Sequence, residues 1–383
     1  MEIQSDFAWI IFIMVAGYGC IIGAFSVGLI RVTRQKRTQT FQSDSFVSVI
    51  IPVRNEERNI LPVLEEIYSQ DFPRDRMEVI VSDDYSEDGT MAIANRFAAL
   101  HPDLGLVMIC PPTSGIKAPG KKRAIERAVR KAKGDILLLS DADTSRGPGW
   151  ITSMVSGFGT PEIRMVLGPV RFCHEKNLLQ KIQSLEFLGL VGVTAGSAGL
   201  GYPVMCNGAN LAYRHSAFLQ TGGFDGNRMY QSGDDQFMMS SIRKHYGKRS
   251  VVFNADPLSV VSTEPERTLK GFLNQRIRWV SKSPGYRDPA VIVTGLVTFS
   301  THLLLLAGML TGIFWSKLLT VSILLWFLKI LLEYPMVWIM TRFFGKKRLT
   351  GYYFIAQVFQ LVYVPLTGFL GLFIPYRWKG RKG

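Results

Sequence analysis

Cysteine is scarce: Cys20, Cys110, Cys173 and Cys206 are the only four in 383 residues, and no two are closely spaced. That excludes a disulfide framework and a Cys-x-x-Cys zinc site, and it fits a reducing compartment for the soluble part. Charge is sparse too, at 19% of residues against 47% hydrophobic. Such a composition excludes a disordered chain, and the glycines follow no three-residue period that would suggest collagen. Long-period repeats and low-complexity segments are missing. Acidic residues are the minority, 30 against 44 Lys and Arg, for a net charge of +14. A surplus of that size raises nucleic acid as a partner. The basic residues, however, crowd beside apolar runs and in the stretch Lys117 to Lys133, and the aromatics show no pattern for stacking on single strands. No nucleic-acid partner is expected.

Long apolar sequence is what the chain has in quantity. Spanning hydrocarbon takes about 20 apolar residues in one run. Four runs qualify: Phe7 to Ile30, Ala290 to Ser316, Leu318 to Thr341 with only Lys329 and Glu333 as charges, and Tyr352 to Tyr376. Glu2 and Asp6 precede the first run where a secretory signal carries basic residues, so it reads as an uncleaved anchor. Arg31, Arg34, Lys36 and Arg37 follow it and place the next part of the chain on the cytoplasmic side, in agreement with Arg342, Lys346, Lys347 and Arg348 after the third run. Four full crossings would leave Arg377, Lys379, Arg381 and Lys382 outside. Pro365, Gly368 and Gly371 interrupt the last run, and a re-entrant hairpin there is expected to return the tail to the cytoplasm. Lys329 and Glu333, four apart on one helix, either neutralise each other or border a lipid headgroup or growing glycan. The resulting division is an anchor over 1–30, a cytoplasmic α/β domain over 31–264, an amphipathic interface helix over 265–289 and a membrane region over 290–383.

Between the first two runs, short apolar stretches alternate with amphipathic ones, as in a mainly parallel sheet with helices between its strands. Val47 to Pro52, Met77 to Ser82, Leu104 to Cys110 and Asp135 to Ser140 read as strands, with helices starting near Glu57, Asp88 and Pro119. Ligands of such sheets bind at the carboxyl ends of the strands. There lie Pro52 to Glu56, the pair Asp83-Asp84, and Asp141-Ala142-Asp143. Clustered carboxylates destabilise the fold unless a cation or hydrogen bonds offset them, and Asp141 with Asp143 suits Mg²⁺ or Mn²⁺ clamping a diphosphate. An Asp-x-Asp tripeptide by itself also marks solvated turns.

Gly233-Asp234-Asp235 opens a helix; Asp234 reads as a cap, and Asp235 as a candidate base for an attacking hydroxyl. Glu266 to Lys282 forms an amphipathic helix ahead of the second run, an interfacial anchor that also offers Gln275, Arg278 and Trp279 within about one turn. Arg278 suits the charge on a departing diphosphate.

Taken together, Val49-Ile50-Ile51-Pro52-Val53-Arg54-Asn55-Glu56, Asp83-Asp84, Asp141-Ala142-Asp143, Gly233-Asp234-Asp235 and Gln275-Arg276-Ile277-Arg278-Trp279 resemble, in order and spacing, the membrane-anchored family 2 glycosyltransferases that include cellulose and hyaluronan synthases and ceramide glucosyltransferase. The resemblance covers about residues 46 to 282. It implies a GT-A (nucleotide-diphospho-sugar transferase) α/β fold with about four membrane-embedded segments, a nucleotide-sugar donor, uridine-linked by the family's habit, a divalent cation, and inversion at the anomeric carbon. By the same resemblance Pro52, Glu56, Asp83 and Asp84 would contact the donor, Asp141 and Asp143 the metal and diphosphate, and Asp235 would be the general base; Lys121, in the basic stretch, is a further candidate for the donor phosphates. Gln275, Arg278 and Trp279 would complete the donor site; Asn207, Asn210 and Asp234 would face the acceptor. Gly233-Asp234 departs from the family's more usual Thr-Glu and leaves Asp235 in register.

Few spans favour single transfer to a lipid-linked acceptor over a polysaccharide synthase, with a lipid or glycan acceptor and the membrane itself as partners. Two readings of another class stay open. Gly115 to Lys122 nearly matches a phosphate-binding loop of an ATPase, but Lys122 stands where a hydroxyl must ligate Mg²⁺. A non-catalytic membrane scaffold is the other. Gly196-Ser197-Ala198-Gly199 imitates a hydrolase elbow but has Ala195 where glycine is required. Asn177 to Gly201 reads equally as core or as an interfacial element, and Asn207 to Asn210 as a loop following a short strand.

Overall fold

A computed structural model of the protein describes residues 2–35, 45–112, 120–230, 232–374, 377–378 and 381–382. The chain begins with a long helix, α1 (Glu2–Arg34), and then enters β1 (Val47–Val53), α2 (Ile60–Tyr68), β2 (Met77–Asp83), α3 (Thr90–Leu100), β3 (Leu106–Ile109), α4 (Lys121–Lys131) and β4 (Ile136–Leu139). β5 (Thr144–Arg146), α5 (Trp150–Ser156), β6 (Met165–Leu167) and β7 (Val170–Phe172) lead to α6 (Leu178–Gly199). After it come β8 (Leu211–Arg214), α7 (His215–Gln220), α8 (Asp234–Tyr246), β9 (Val251–Phe253), β10 (Val261–Thr263) and α9 (Leu269–Val280). Three long helices follow: α10 (Pro289–Gly312), α11 (Ser316–Phe343) and α12 (Tyr353–Phe373).

The main sheet has the order β3-β2-β1-β4-β8-β6-β9, with β8 antiparallel to both neighbours. Its first four strands are parallel; β1, β2 and β4 are buried between helices, which is why they read as almost unbroken apolar runs, while β3 at the edge is half-buried to exposed. Register sets the chemistry: Val53 lies beside Asp83, and Ile50 beside Leu139, so the acidic ends of β1, β2 and β4 open on one edge. Strand alternation sends Val49 and Ile51 into a core with α2, α3 and α5. Ile50 points the other way, toward α4 and α6, in a core that continues without a break into α1 and α11.

The helices α1, α10 and α11, and α12 with its preceding turn, are long and apolar enough to cross a membrane. α6 couples them to the sheet. Its start is fixed by Asn177, whose side chain accepts from the Gln180 amide, and its glycines let α1 approach to backbone contact. A Cβ on Gly196 would sit 2.1 Å from the Phe25 carbonyl oxygen, and one on Gly28 would sit 2.0 Å from that of Gly196. Backbone cannot yield as a flexible side chain can. Gly196→Val is therefore expected to lower the thermal-unfolding midpoint of the detergent-purified protein, by an overpacking cost of about 1–3 kcal/mol or more. Gly17→Ala, where an added Cβ meets nothing within 4 Å, should leave the midpoint unchanged or raise it slightly.

The last helix corrects one expectation. α12 runs unbroken through Pro365, so there is no re-entrant hairpin. Instead Lys181 of α6 donates to the Tyr352 hydroxyl at its start, and near its end a Cβ on Gly371 would lie 2.5 Å from Val280 of α9. Both ends of the helix thus rest on helices that flank the sheet. Helix interiors in membranes tolerate proline when neighbours satisfy the freed backbone.

Candidate active site

Each acidic strand end is held by local chemistry before any ligand arrives. At the end of β1, Arg54 donates to the carbonyls of Asp84 and Tyr85 at 2.8 and 3.2 Å, and Asn55, with φ 51°, accepts from the Glu87 amide at 2.9 Å. Asp83 accepts from the Ser86 amide at 3.1 Å. Asp84 accepts from the Gly120 amide at 2.7 Å, and burial raises its pKa above the ordinary carboxylate value, opposed by that amide and by Arg54. After β4, the Thr144 hydroxyl donates to the Asp141 carbonyl at 2.6 Å, and the Arg146 guanidinium donates to that hydroxyl, also at 2.6 Å. The Asp-Ala-Asp turn is therefore rigid, with Asp141 half-buried and Asp143 exposed.

A cavity of about 930 Å³ gathers most of the candidate residues. Pro52 and Glu56 line it from β1 and its loop, Asp141 and Asp143 from the turn after β4, and Lys121 from the first turn of α4. Asn207 enters from the loop before β8, Asp234 and Asp235 from the start of α8, and Gln275, Arg278 and Trp279 from α9. Three candidates are not among its walls. Asp83 and Asp84 are buried behind it in the loop contacts just described. Asn210 is 1% exposed and wholly engaged: it accepts from the Trp150 indole and donates to the carbonyls of Pro169 and Ser259. Its place is structural, and the Asn-Gly-Ala-Asn segment precedes β8 instead of following a strand. Lys329 and Glu333 are likewise absent from the cavity; they are buried against each other at 2.9 Å, with Gln357 and Gln360 accepting from the lysine. That excludes the headgroup or glycan role for them and leaves mutual neutralisation.

Two lysines organise the carboxylates. Lys121 Nζ lies 2.6 Å from Asp141 Oδ1 and 3.5 Å from Asp234 Oδ2. Burial disfavours its charge, but these two acids outweigh burial and raise its pKa. Lys282 Nζ lies 3.6 Å from Asp235 Oδ1, while the amides of Gln236 and Gly208 donate to the same carboxylate at 2.7 and 3.0 Å. Burial alone would raise the Asp235 pKa; Lys282 and these amides reverse it and hold the carboxyl below its ordinary value. Gly233, with φ 89°, is the N-cap of α8, and the helix N-terminus also favours the anion. Lys122 is not on a solvated face: it donates to the carbonyls of Asn227 and Tyr230, and burial lowers its pKa to about 8. Residues 113–119, which carry most of the phosphate-loop-like sequence, lie outside the described residues.

Sequence reasoning missed a second cluster. Arg276 is 4% exposed and grips Glu186 of α6 through Nε at 3.2 Å and through Nη2. Its guanidinium also lies 4.1 Å from the Trp279 ring and 4.5 Å from that of Phe272, and the Tyr363 hydroxyl of α12 donates to Glu186. This pins three helices together at the cavity wall. Lys282 left a faint signal, one helical turn after Arg278; Glu186, 90 residues from Arg276, left none.

Two carboxylates, Asp141 and Asp143, can hold a hard divalent cation only with oxygens from a bound ligand, since the described residues contain no group of three or more His, Cys, Asp or Glu side chains suited to a metal. A diphosphate supplies such oxygens, so the donor set fits a cation that arrives with its substrate.

Comparison with known proteins places this geometry. A family model described as glycosyl transferase family 21 matches residues 11–381. The probable glycosyltransferase YdaM of Bacillus subtilis is 26% identical over 61% of this chain and 54% of its own length. The beta-monoglucosyldiacylglycerol synthase of Synechocystis is 31% identical over 30% of this chain and 23% of its own. The chain spans about half the length, or less, of these curated relatives. Among solved structures, the mannosyltransferase PcManGT from Pyrobaculum calidifontis in complex with GDP-Man and Mn2+ covers 95% of this chain and 99% of its own, with a TM-score of 0.61 at 18% identity. That likeness shows a GT-A-like fold.

Proposed function

The chain belongs to glycosyl transferase family 21, and from that premise we propose that it transfers one sugar, with inversion, from a nucleotide diphosphate to a hydroxyl of a membrane lipid. The observation that carries this reading is the single cavity walled by Asp141, Asp235 and Arg278 and also by residues of α10 and α12. A relative that makes a glucosyldiacylglycerol, by its name, supports a lipid acceptor. The basic residues at the end of α1 support a cytoplasmic orientation.

In the proposed reaction the acceptor hydroxyl gives its proton to Asp235, and its oxygen attacks the anomeric carbon opposite the diphosphate. The carbon–phosphate oxygen bond breaks as the new bond forms, so one displacement inverts the centre. Arg278 and Lys121 face the side on which negative charge appears on the leaving nucleotide. A cation held at Asp141 and Asp143 would neutralise diphosphate charge; Mn²⁺ beside a nucleotide-sugar in PcManGT supports that assignment. Asp84 accepts from the Gly120 amide and so fixes the residue just ahead of Lys121.

Uridine is the proposed donor base, and the GDP-Man in PcManGT makes guanosine the alternative. Thermal-shift measurements on the full chain with uridine, guanosine and adenosine nucleotides, each with and without Mn²⁺, test this. A ligand at 100 times its dissociation constant stabilises by about 2.7 kcal/mol. Metal-dependent stabilisation by uridine nucleotides supports the reading, adenosine selectivity favours an ATPase, and no stabilisation favours a scaffold.

Lys282 provides a pH test. A base works only when deprotonated, so a depressed pKa keeps Asp235 competent toward lower pH. Removing the neighbouring cation raises that pKa. In Lys282→Met the acid limb of the kcat/KM profile is expected to move to higher pH; an unmoved limb would show that another group sets it.

A further inference from the structure

The exposed residues lining the cavity fall into two groups. Asp143 and Glu264, both exposed, mark the mouth at the strand ends. At the other end the exposed lining residues come from two membrane helices: Ile292 and Leu296 of α10, 38% and 59% exposed, and Leu372 of α12, 54% exposed. The opposite wall is closed, with Ile22 and Phe25 of α1 at 6% and 7%. Ile292 to Phe299 lies within about 15 Å of the start of α10 at 1.5 Å per residue, so the lateral mouth opens close to the sheet domain, in the near half of a bilayer.

The arm behind this mouth is apolar even where its sequence is not. The hydroxyls of Thr194, Thr298 and Thr367 all donate back to carbonyls of their own helices, those of Leu190, Thr294 and Tyr363. Their methyl groups are left for the wall. A Cβ on Gly368 would lie 2.5 Å from Phe299, so that glycine draws α12 against α10, whereas a Cβ on Gly295 meets nothing within 4 Å. Gly295 therefore leaves a slot beside the mouth.

We infer that the hydrocarbon tail of the acceptor enters from the bilayer between α10 and α12 and lies along this arm, with its hydroxyl head at Asp235. The inference rests on the reading of the site as a transferase centre. An apolar arm that joins a lateral opening to a buried carboxylate fits an amphiphile with an aliphatic tail and a neutral hydroxyl end; a soluble sugar would leave the arm unfilled.

The test uses the full chain in phosphatidylcholine nanodiscs with a diacylglycerol carrying a diazirine midway along one acyl chain, photolysed and mapped by mass spectrometry. Adducts are expected at Thr194 or Thr367, 8% and 3% exposed and so shielded from the surrounding bilayer, as well as at outward-facing Leu324 and Leu331 of α11. In Gly295→Trp the interior adducts should fall by about tenfold, the equivalent of about 1.4 kcal/mol in tail binding, with the α11 adducts unchanged. Leu296→Trp, at an exposed position, makes the same test if the glycine variant does not fold. Adducts confined to outward faces, or interior adducts undiminished in a folded variant, would overturn the proposal. Sugar transfer to lipid is measured separately on the wild type: transfer without interior labelling removes the channel and leaves the transferase reading, and interior labelling without transfer does the reverse.

Discussion

Asp235→Asn is expected to lower sugar transfer by about 10²- to 10⁴-fold, the range for loss of a positioned general base. The substitution is close to isosteric, and the amide oxygen can still accept from Gly208, whose N–H lies 3.0 Å from the native carboxylate. Lys282 loses its partner at 3.6 Å but stays beside Asp234 and the helix start. Stabilisation by the nucleotide-sugar should therefore persist, since the donor side is walled by Asp141, Arg278 and Trp279. A variant that binds donor but transfers nothing assigns the defect to proton removal. If Asp235→Asn kept more than about a tenth of the wild-type rate, Asp235 would not be the base.

Glu186→Leu is expected to destabilise the protein by about 3–5 kcal/mol, because it leaves the Arg276 charge buried without its partner. The pair is sealed, with side-chain exposures of 5% and 10%. Pairing Glu186→Leu with Arg276→Met should recover most of that loss, as buried ion pairs replaced together by apolar groups are often neutral. Activity separates packing from positioning: Arg276 also lies against the Trp279 ring, so the double variant should fold yet turn over more slowly, with a raised KM for donor. Single variants that lost less than about 1 kcal/mol would place the pair among ordinary surface contacts and remove its role in joining α6, α9 and α12.

Features that depend on neighbours in sequence were legible before the fold was known. The strands leading to Asp84 and Asp141, the helix opening at Asp234, the helix bearing Gln275 to Trp279 and the four long apolar helices all lie where periodicity and caps put them. Features set by distant partners were not. Asn210 reads as a polar loop residue open to a ligand; its actual partners, Trp150, Pro169 and Ser259, are 60, 41 and 49 residues away. The sheet of β5, β10 and β7 is built from strands of three residues, too short for alternation to show. Pro365 and its glycines suggest a broken segment because soluble-helix rules assume water for the freed carbonyls; here Gly368 and Gly371 serve instead as close-packing points against Phe299 and Val280. The lipid-side arm of the cavity had no sequence signature either, because threonines that turn their hydroxyls inward look polar until the helices are assembled.

The most direct test incubates the purified full chain with membrane lipid extract and isotopically labelled uridine and guanosine diphosphate sugars, and identifies the products by mass and anomeric configuration. One labelled sugar on a hydroxylated lipid, with configuration opposite to that of the donor, is the predicted result. Label found only in free sugar or in polymer, or a lipid product that keeps the donor's configuration, would contradict a single in-line transfer at Asp235.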